Sequence, residues 1–171
     1  MKGRGNTVRT LLLAGVAAAA VIVLAVLLIK GGRSEKTVGH DIAPTDITDF
    51  YYTLDISVDT PVYQRYRFYT ENGSYYFYHE TREGDHWPLT EEDITVAGTV
   101  TLSDAEWTAL WHCLEDGTVR PPEANTETGN AGPWLFLYWN GDRDRFRQYT
   151  FATAAQQADF EALCEALAAA R

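Results

Sequence analysis

The chain has 171 residues, a formal net charge of −10 and two cysteines. Once one membrane-length apolar run is set aside, the remainder can bury a single core but is too short for two packed domains. Residues 1–36 hold six of the fourteen basic residues, whereas from Thr37 onward eight basic residues face twenty-three acidic ones, a net of −15 that disfavours polyanion partners and argues against nucleic acid.

Residues 1–10 form a basic tail with Lys2, Arg4 and Arg9. Leu11–Ile29 follows, nineteen residues without a charge or strongly polar side chain, long enough as a helix to cross a bilayer core of roughly 30 Å. A cleavable signal peptide has a shorter apolar core ending in a small-residue cleavage site, and here the run ends Leu-Leu-Ile-Lys-Gly-Gly-Arg. The segment is therefore expected to be an uncleaved transmembrane helix. Lys30, Arg33 and Lys36 nearly balance the basic residues ahead of it, so counting alone does not orient it. A short basic tail before the first span matches a signal-anchor, with the N-terminus cytoplasmic and the following domain outside the cytoplasm.

Residues 30–46 lack apolar periodicity and read as a linker, which places the domain at 47–171. Phe50, Tyr52, Leu54, Ile56 and Val58 alternate with polar positions, the period of a half-buried strand, until Asp59-Thr60-Pro61 ends it. Asn72-Gly73 and Asn140-Gly141 supply the positive φ angles of two-residue turns, predicting hairpins over 62–81 and 133–151. A strand over 95–102 runs into Ser103-Asp104-Ala105-Glu106, a capping box opening a helix whose apolar face is Trp107, Leu110, Trp111 and Leu114. Residues 117–133 read as a long loop, disordered or a mobile flap. Near the end, Thr150-Phe151-Ala152 parallels Thr101-Leu102-Ser103, and Phe160, Leu163, Cys164 and Leu167 parallel the first helix's apolar face, suggesting two hairpin–strand–helix halves. These elements predict an α+β two-layer sandwich: an antiparallel sheet of five or six strands with both helices on one face. Cys113 and Cys164 fall one on each helix; out-of-phase placement favours two separate thiols over a disulfide.

Chemistry is sparse. His79, Glu80 and His86 lack the helical spacing of a zinc motif, and Asp142 and Asp144 lack the glycine and glutamate positions of a calcium loop. Glu91-Glu92-Asp93 reads as the first turn of a short helix or a solvated loop. No phosphate loop, nucleophile elbow or Cys/His arrangement is visible, so no catalytic residue, metal or cofactor is assigned.

The arginines carry more information, because no lysine follows Lys36. If Asn72-Gly73 is a two-residue turn, Arg65 and Arg67 lie on the helix-free side of the first hairpin, opposite Glu80 and Tyr78. Parity in the second hairpin puts Trp134, Phe136, Tyr138, Arg143, Arg145 and Arg147 on that same side. The bland explanation is that arginines cover exposed rings through cation–π contacts. The functional one is a basic aromatic face that grips an anionic or sugar-containing ligand, or a protein partner, through guanidinium forks and ring stacking. The layout of short anchor and acidic domain resembles that of many bacterial envelope proteins, a likeness of arrangement that carries no motif. The expectation is a membrane-anchored extracytoplasmic binding domain without enzymatic activity. An envelope enzyme whose site is assembled from distant residues and a structural subunit of a membrane complex are the alternatives.

Overall fold

The computed structural model describes residues 35–56, 60–121, 133–140 and 147–170. The basic tail and the Leu11–Ile29 segment lie outside the described residues, and among those described no helix is long and apolar enough to cross a membrane.

The fold is a mostly antiparallel eight-stranded sheet with two helices, an α+β arrangement. The elements run β1 (Lys36–Thr37), β2 (Ile47–Ile56), β3 (Val62–Glu71), β4 (Ser74–Arg82), β5 (Ile94–Leu102), α1 (Asp104–Leu114), β6 (Thr118–Arg120), β7 (Trp134–Trp139), β8 (Arg147–Thr150) and α2 (Ala154–Ala169). Their order across the sheet is β1-β6-β8-β7-β2-β3-β4-β5. The expected five or six strands become eight because β1 and β6, of two and three residues, are too short to show a period in the sequence.

Alternation decides which side chains enter the core. Phe50, Tyr52, Phe68 and Phe77 are buried on one face of the central strands, where Phe160 of α2 packs 5.4 Å from Phe50 and 5.9 Å from Phe68, ring centre to ring centre. Trp107 of α1 stacks on Tyr75 at 4.5 Å on the same face of β4. The α1 start is as expected: Ser103 and Glu106 form a reciprocal capping box. Of the two apolar faces, Trp107, Leu110, Leu114, Phe160, Cys164 and Leu167 are buried, while Trp111 and Leu163 pack at the core margin.

Three expectations are corrected. The folded unit begins at Glu35, not Ile47: Val38 and Ile42, placed in the 30–46 linker, are buried to 0% and 1% exposure. Val38 is clipped on both sides of its peptide, its N–H donating to Gly117 O at 2.8 Å and its carbonyl accepting from Asp116 N–H at 3.0 Å. These contacts are long-range and leave no local periodicity. The 117–133 loop likewise begins as strand β6, which pairs with β1 and β8; residues 122–132 lie outside the described residues. Finally, Asn140-Gly141 does not close a two-residue hairpin, because Leu137 pairs with Arg147 and Phe136 with Gln148, leaving 140–146 as the connection. The first hairpin behaves as expected: Asn72 and Gly73 take φ of 51° and 79°, and Glu71 pairs with Ser74.

Both thiols are free, Cys164 buried and Cys113 half-buried. Burial pushes the Cys164 thiol well above its ordinary range and raises Cys113 as well.

Candidate functional site

The sheet face turned away from Phe50 and Phe68 is built in rows by strand register. Phe136, Tyr51, Arg67, Tyr78 and Thr99 follow one another across β7, β2, β3, β4 and β5. The adjacent row reads Trp134, Thr53, Arg65, Glu80 and Ala97, and a third reads Tyr138, Asp49, Tyr69, Tyr76 and Thr101. Arg65, Arg67, Trp134, Phe136 and Tyr138 thus lie on the face expected for them.

Arg147 does not. Its cross-strand partner is Leu137, a fully buried core residue, so it shares the opposite face with Tyr149. A two-residue turn would have paired strands whose residue numbers sum to 281, whereas the observed pairs sum to 284. An odd shift of register moves every side chain of that strand to the other face. Arg143 and Arg145 lie outside the described residues.

Two residues that parity could have supplied complete the cluster. Tyr63 pairs with Arg82 at the far end of the first hairpin, one position beyond the hairpin limit expected from sequence. Together with Arg65 and Glu80 they form a partly desolvated charge group. Arg82 and Glu80 make an ion pair at 10% and 4% side-chain exposure, and Tyr78 donates to the second Glu80 oxygen at 2.6 Å. Burial pushes Glu80 upward, but hydrogen bonds from Tyr78 and Arg82 and the charges of Arg82 and Arg65 hold it below the ordinary carboxylate range. Burial, then the bond to Glu80, pushes Tyr78 up to about 12.

The arginines differ in how fully they are engaged. Arg67 grips Asp49 with two hydrogen bonds of 2.8 and 2.7 Å and lies between the Tyr51 and Tyr69 rings, 5.0 and 4.4 Å from their centres. Arg82 covers the Tyr63 ring at 4.3 Å while paired with Glu80. Arg65 sits 5.4 Å from the same ring, and its Nε is buried without a hydrogen-bond partner; the Tyr63 hydroxyl is orphaned in the same way. Covering rings therefore accounts for Arg67 and Arg82 and leaves Arg65 with donor capacity unused.

Arg65 lines a concavity of about 440 Å³ together with Tyr51, Tyr69, Tyr78, Glu91 and the other two arginines. A second hollow of about 460 Å³, lined by Thr48, Asp49, Thr70 and Tyr138, adjoins it through the shared Tyr51. These volumes suit a small ligand or one side chain of a larger partner. Chemically the first hollow offers a guanidinium donor among tyrosine rings, with the other two cations already neutralised by Asp49 and Glu80. Among the described residues no three His, Cys, Asp or Glu side chains converge as a metal site. No protein-family model, curated protein or solved structure matches the chain.

Proposed function

We propose that this chain is a non-enzymatic binding domain held at a membrane: an N-terminal transmembrane helix at Leu11–Ile29, then a two-layer domain outside the cytoplasm that recognises an anionic group on its partner. The observation that supports the binding reading is Arg65, which lines a hollow flanked by Tyr51, Tyr69 and Tyr78 and whose Nε makes no hydrogen bond within the fold. A carboxylate or phosphate placed there would meet the Arg65 guanidinium, and the tyrosine rings would pack on whatever carries it. A field of −15 from Thr37 onward repels such an anion at long range, so recognition rests on short-range contact at one guanidinium.

Titration of the full chain with benzoate and with inorganic phosphate tests this, followed at the arginine Nε–H resonances. Saturable shifts confined to Arg65 are expected, with loss of the response in Arg65→Gln, whose melting stays cooperative at a somewhat lower temperature because Glu80 loses one of the cations that stabilise its charge. A preference for benzoate identifies a carboxylate on a ring; a preference for phosphate identifies a phosphorylated group. Silence from both probes refutes the site. The tether is tested separately by fusing a reporter active only outside the cytoplasm after Arg171; a silent fusion beside an active cytoplasmic reporter refutes the orientation.

A further inference from the structure

We propose that the outer edge of β5 is a docking site for an extended polypeptide segment with basic residues at its ends, which joins the sheet as an added strand. β5 ends the strand order, so one side of its backbone pairs with β4 and, among the described residues, no strand pairs with the other. Register identifies the groups that face outward. The two-residue turn makes Glu71 and Ser74 a hydrogen-bonded pair, so alternate β4 residues Tyr76, Tyr78 and Glu80 bond to β3, and Tyr75, Phe77 and His79 bond to β5. Their partners Leu102, Val100 and Gly98 are thereby turned inward, and Ala97 and Thr99 direct N–H and C=O away from the sheet.

Exposed edges are normally protected by brevity, lysine, proline or a bulge. β5 has nine residues, ITVAGTVTL, with no charge and no proline. Its one register irregularity lies at the start, opposite Thr81 and Arg82, and leaves Val96–Leu102 in continuous register. Val96 is 51% exposed and gives an incoming strand apolar surface to cover. The opposite end of the sheet is different: β1 has two residues, one of them Lys36.

Unpaired backbone donors and acceptors in extended register are matched by another strand, with main-chain bonds supplying the affinity. Charge selects which strand. The uncharged edge is preceded by exposed Glu91 and Glu92 and followed by exposed Asp104. A second copy paired antiparallel would set these acids against each other at both ends, within two domains that each carry −15 from Thr37 onward. A segment with lysine or arginine at its ends meets opposite charge at both.

The experiment uses the full chain and a labelled synthetic peptide of alternating Thr and Val with lysines at both ends, compared with the same peptide ending in glutamates. The lysine peptide is expected to bind, and more weakly as salt rises. Amide exchange at Ala97 and Thr99 should slow by about tenfold or more on binding, while Gly98 and Val100, already bonded to β4, change little. Thr99→Pro, which removes an outward N–H without touching the β4 ladder, should weaken binding about tenfold. Because the exchange measurement is made on the unaltered chain, it stands even if that variant folds poorly. Equal binding of the two peptides, unprotected Ala97 and Thr99 amides with peptide bound, or protection that appears with chain concentration alone would each overturn the proposal.

Discussion

Gly117 is where a single atom matters most. It follows Asp116, which takes a left-handed φ of 63° to end the α1 region, and a Cβ at Gly117 would overlap the ring and hydroxyl of Tyr149. That tyrosine is buried and donates to Leu114 O at 2.9 Å, so it has no room to yield. Gly117→Ala is therefore expected to cost about 1–3 kcal/mol of stability, read from urea unfolding. The arginines should separate in the same assay. Arg82→Gln strands the nearly buried Glu80 and should cost about 3 kcal/mol or more, whereas Arg67→Gln removes a more exposed pair and should cost about 1 kcal/mol. Because Glu80 titrates below its ordinary 4.5, the stability it contributes is present above that pH and is lost as pH falls through its folded value. Burial raises Asp55, which works in the opposite sense by favouring its protonated form. Glu80→Gln should thus flatten the decline of stability on acidification, measured as unfolding midpoints between neutral and acidic pH. The thiols offer a third test: Cys113 should be alkylated in the native state, and Cys164, at 0% exposure with its pKa raised, only after unfolding.

Among the elements, those with a local code could be read from sequence and those held only by distant contacts could not. The Asn72-Gly73 hairpin, the alternation of β2 and the Ser103 capping box each specify their geometry within a few residues. Ser103→Ala should accordingly remove about 1 kcal/mol, with loss of helical signal on heating. β1 and β6 exist because the neighbouring chain is in place, and no pattern in two or three residues announces them. The candidate site divides along the same line. Arg65 and Arg67 follow from a true turn, and Arg147 departs from its expected face because Asn140-Gly141 resembles a turn that the β7–β8 register does not use. Arg82 obeys the same parity, one residue past the end that the sequence pattern marks for the first hairpin. The two halves suggested by the helix patterns keep a counterpart in space. β5 leads into α1 and β8 into α2, with the β4–β5 and β7–β8 pairs flanking β2–β3 on either side. In the second half β8 serves as both hairpin arm and lead-in strand, so one strand fewer precedes its helix.

At the scale of the whole molecule, the boundary of the folded unit has a measurable consequence. A chain begun at Ile47, where periodicity starts, would lose β1, the buried Val38 and Ile42, and the paired backbone bonds to Asp116 and Gly117. Burial of two such aliphatic side chains is worth about 1.5–3 kcal/mol each, and removing them opens the core cluster to which both belong. For a domain with roughly 5–15 kcal/mol of total stability, that loss is a large fraction. The contact boundary instead falls between Ser34 and Glu35, so a chain begun at Glu35 keeps every described strand and helix. Three chains decide the matter: the full chain, residues 35–171 and residues 47–171, compared by thermal unfolding under one set of conditions. Residues 35–171 should unfold cooperatively at the temperature of the domain within the full chain. Residues 47–171 should melt far lower or lose cooperativity, with Tyr149 and Leu114 amides exchanging rapidly. Equal melting of the two shortened chains would mean that Val38 and Ile42 rest on a core that is complete without them.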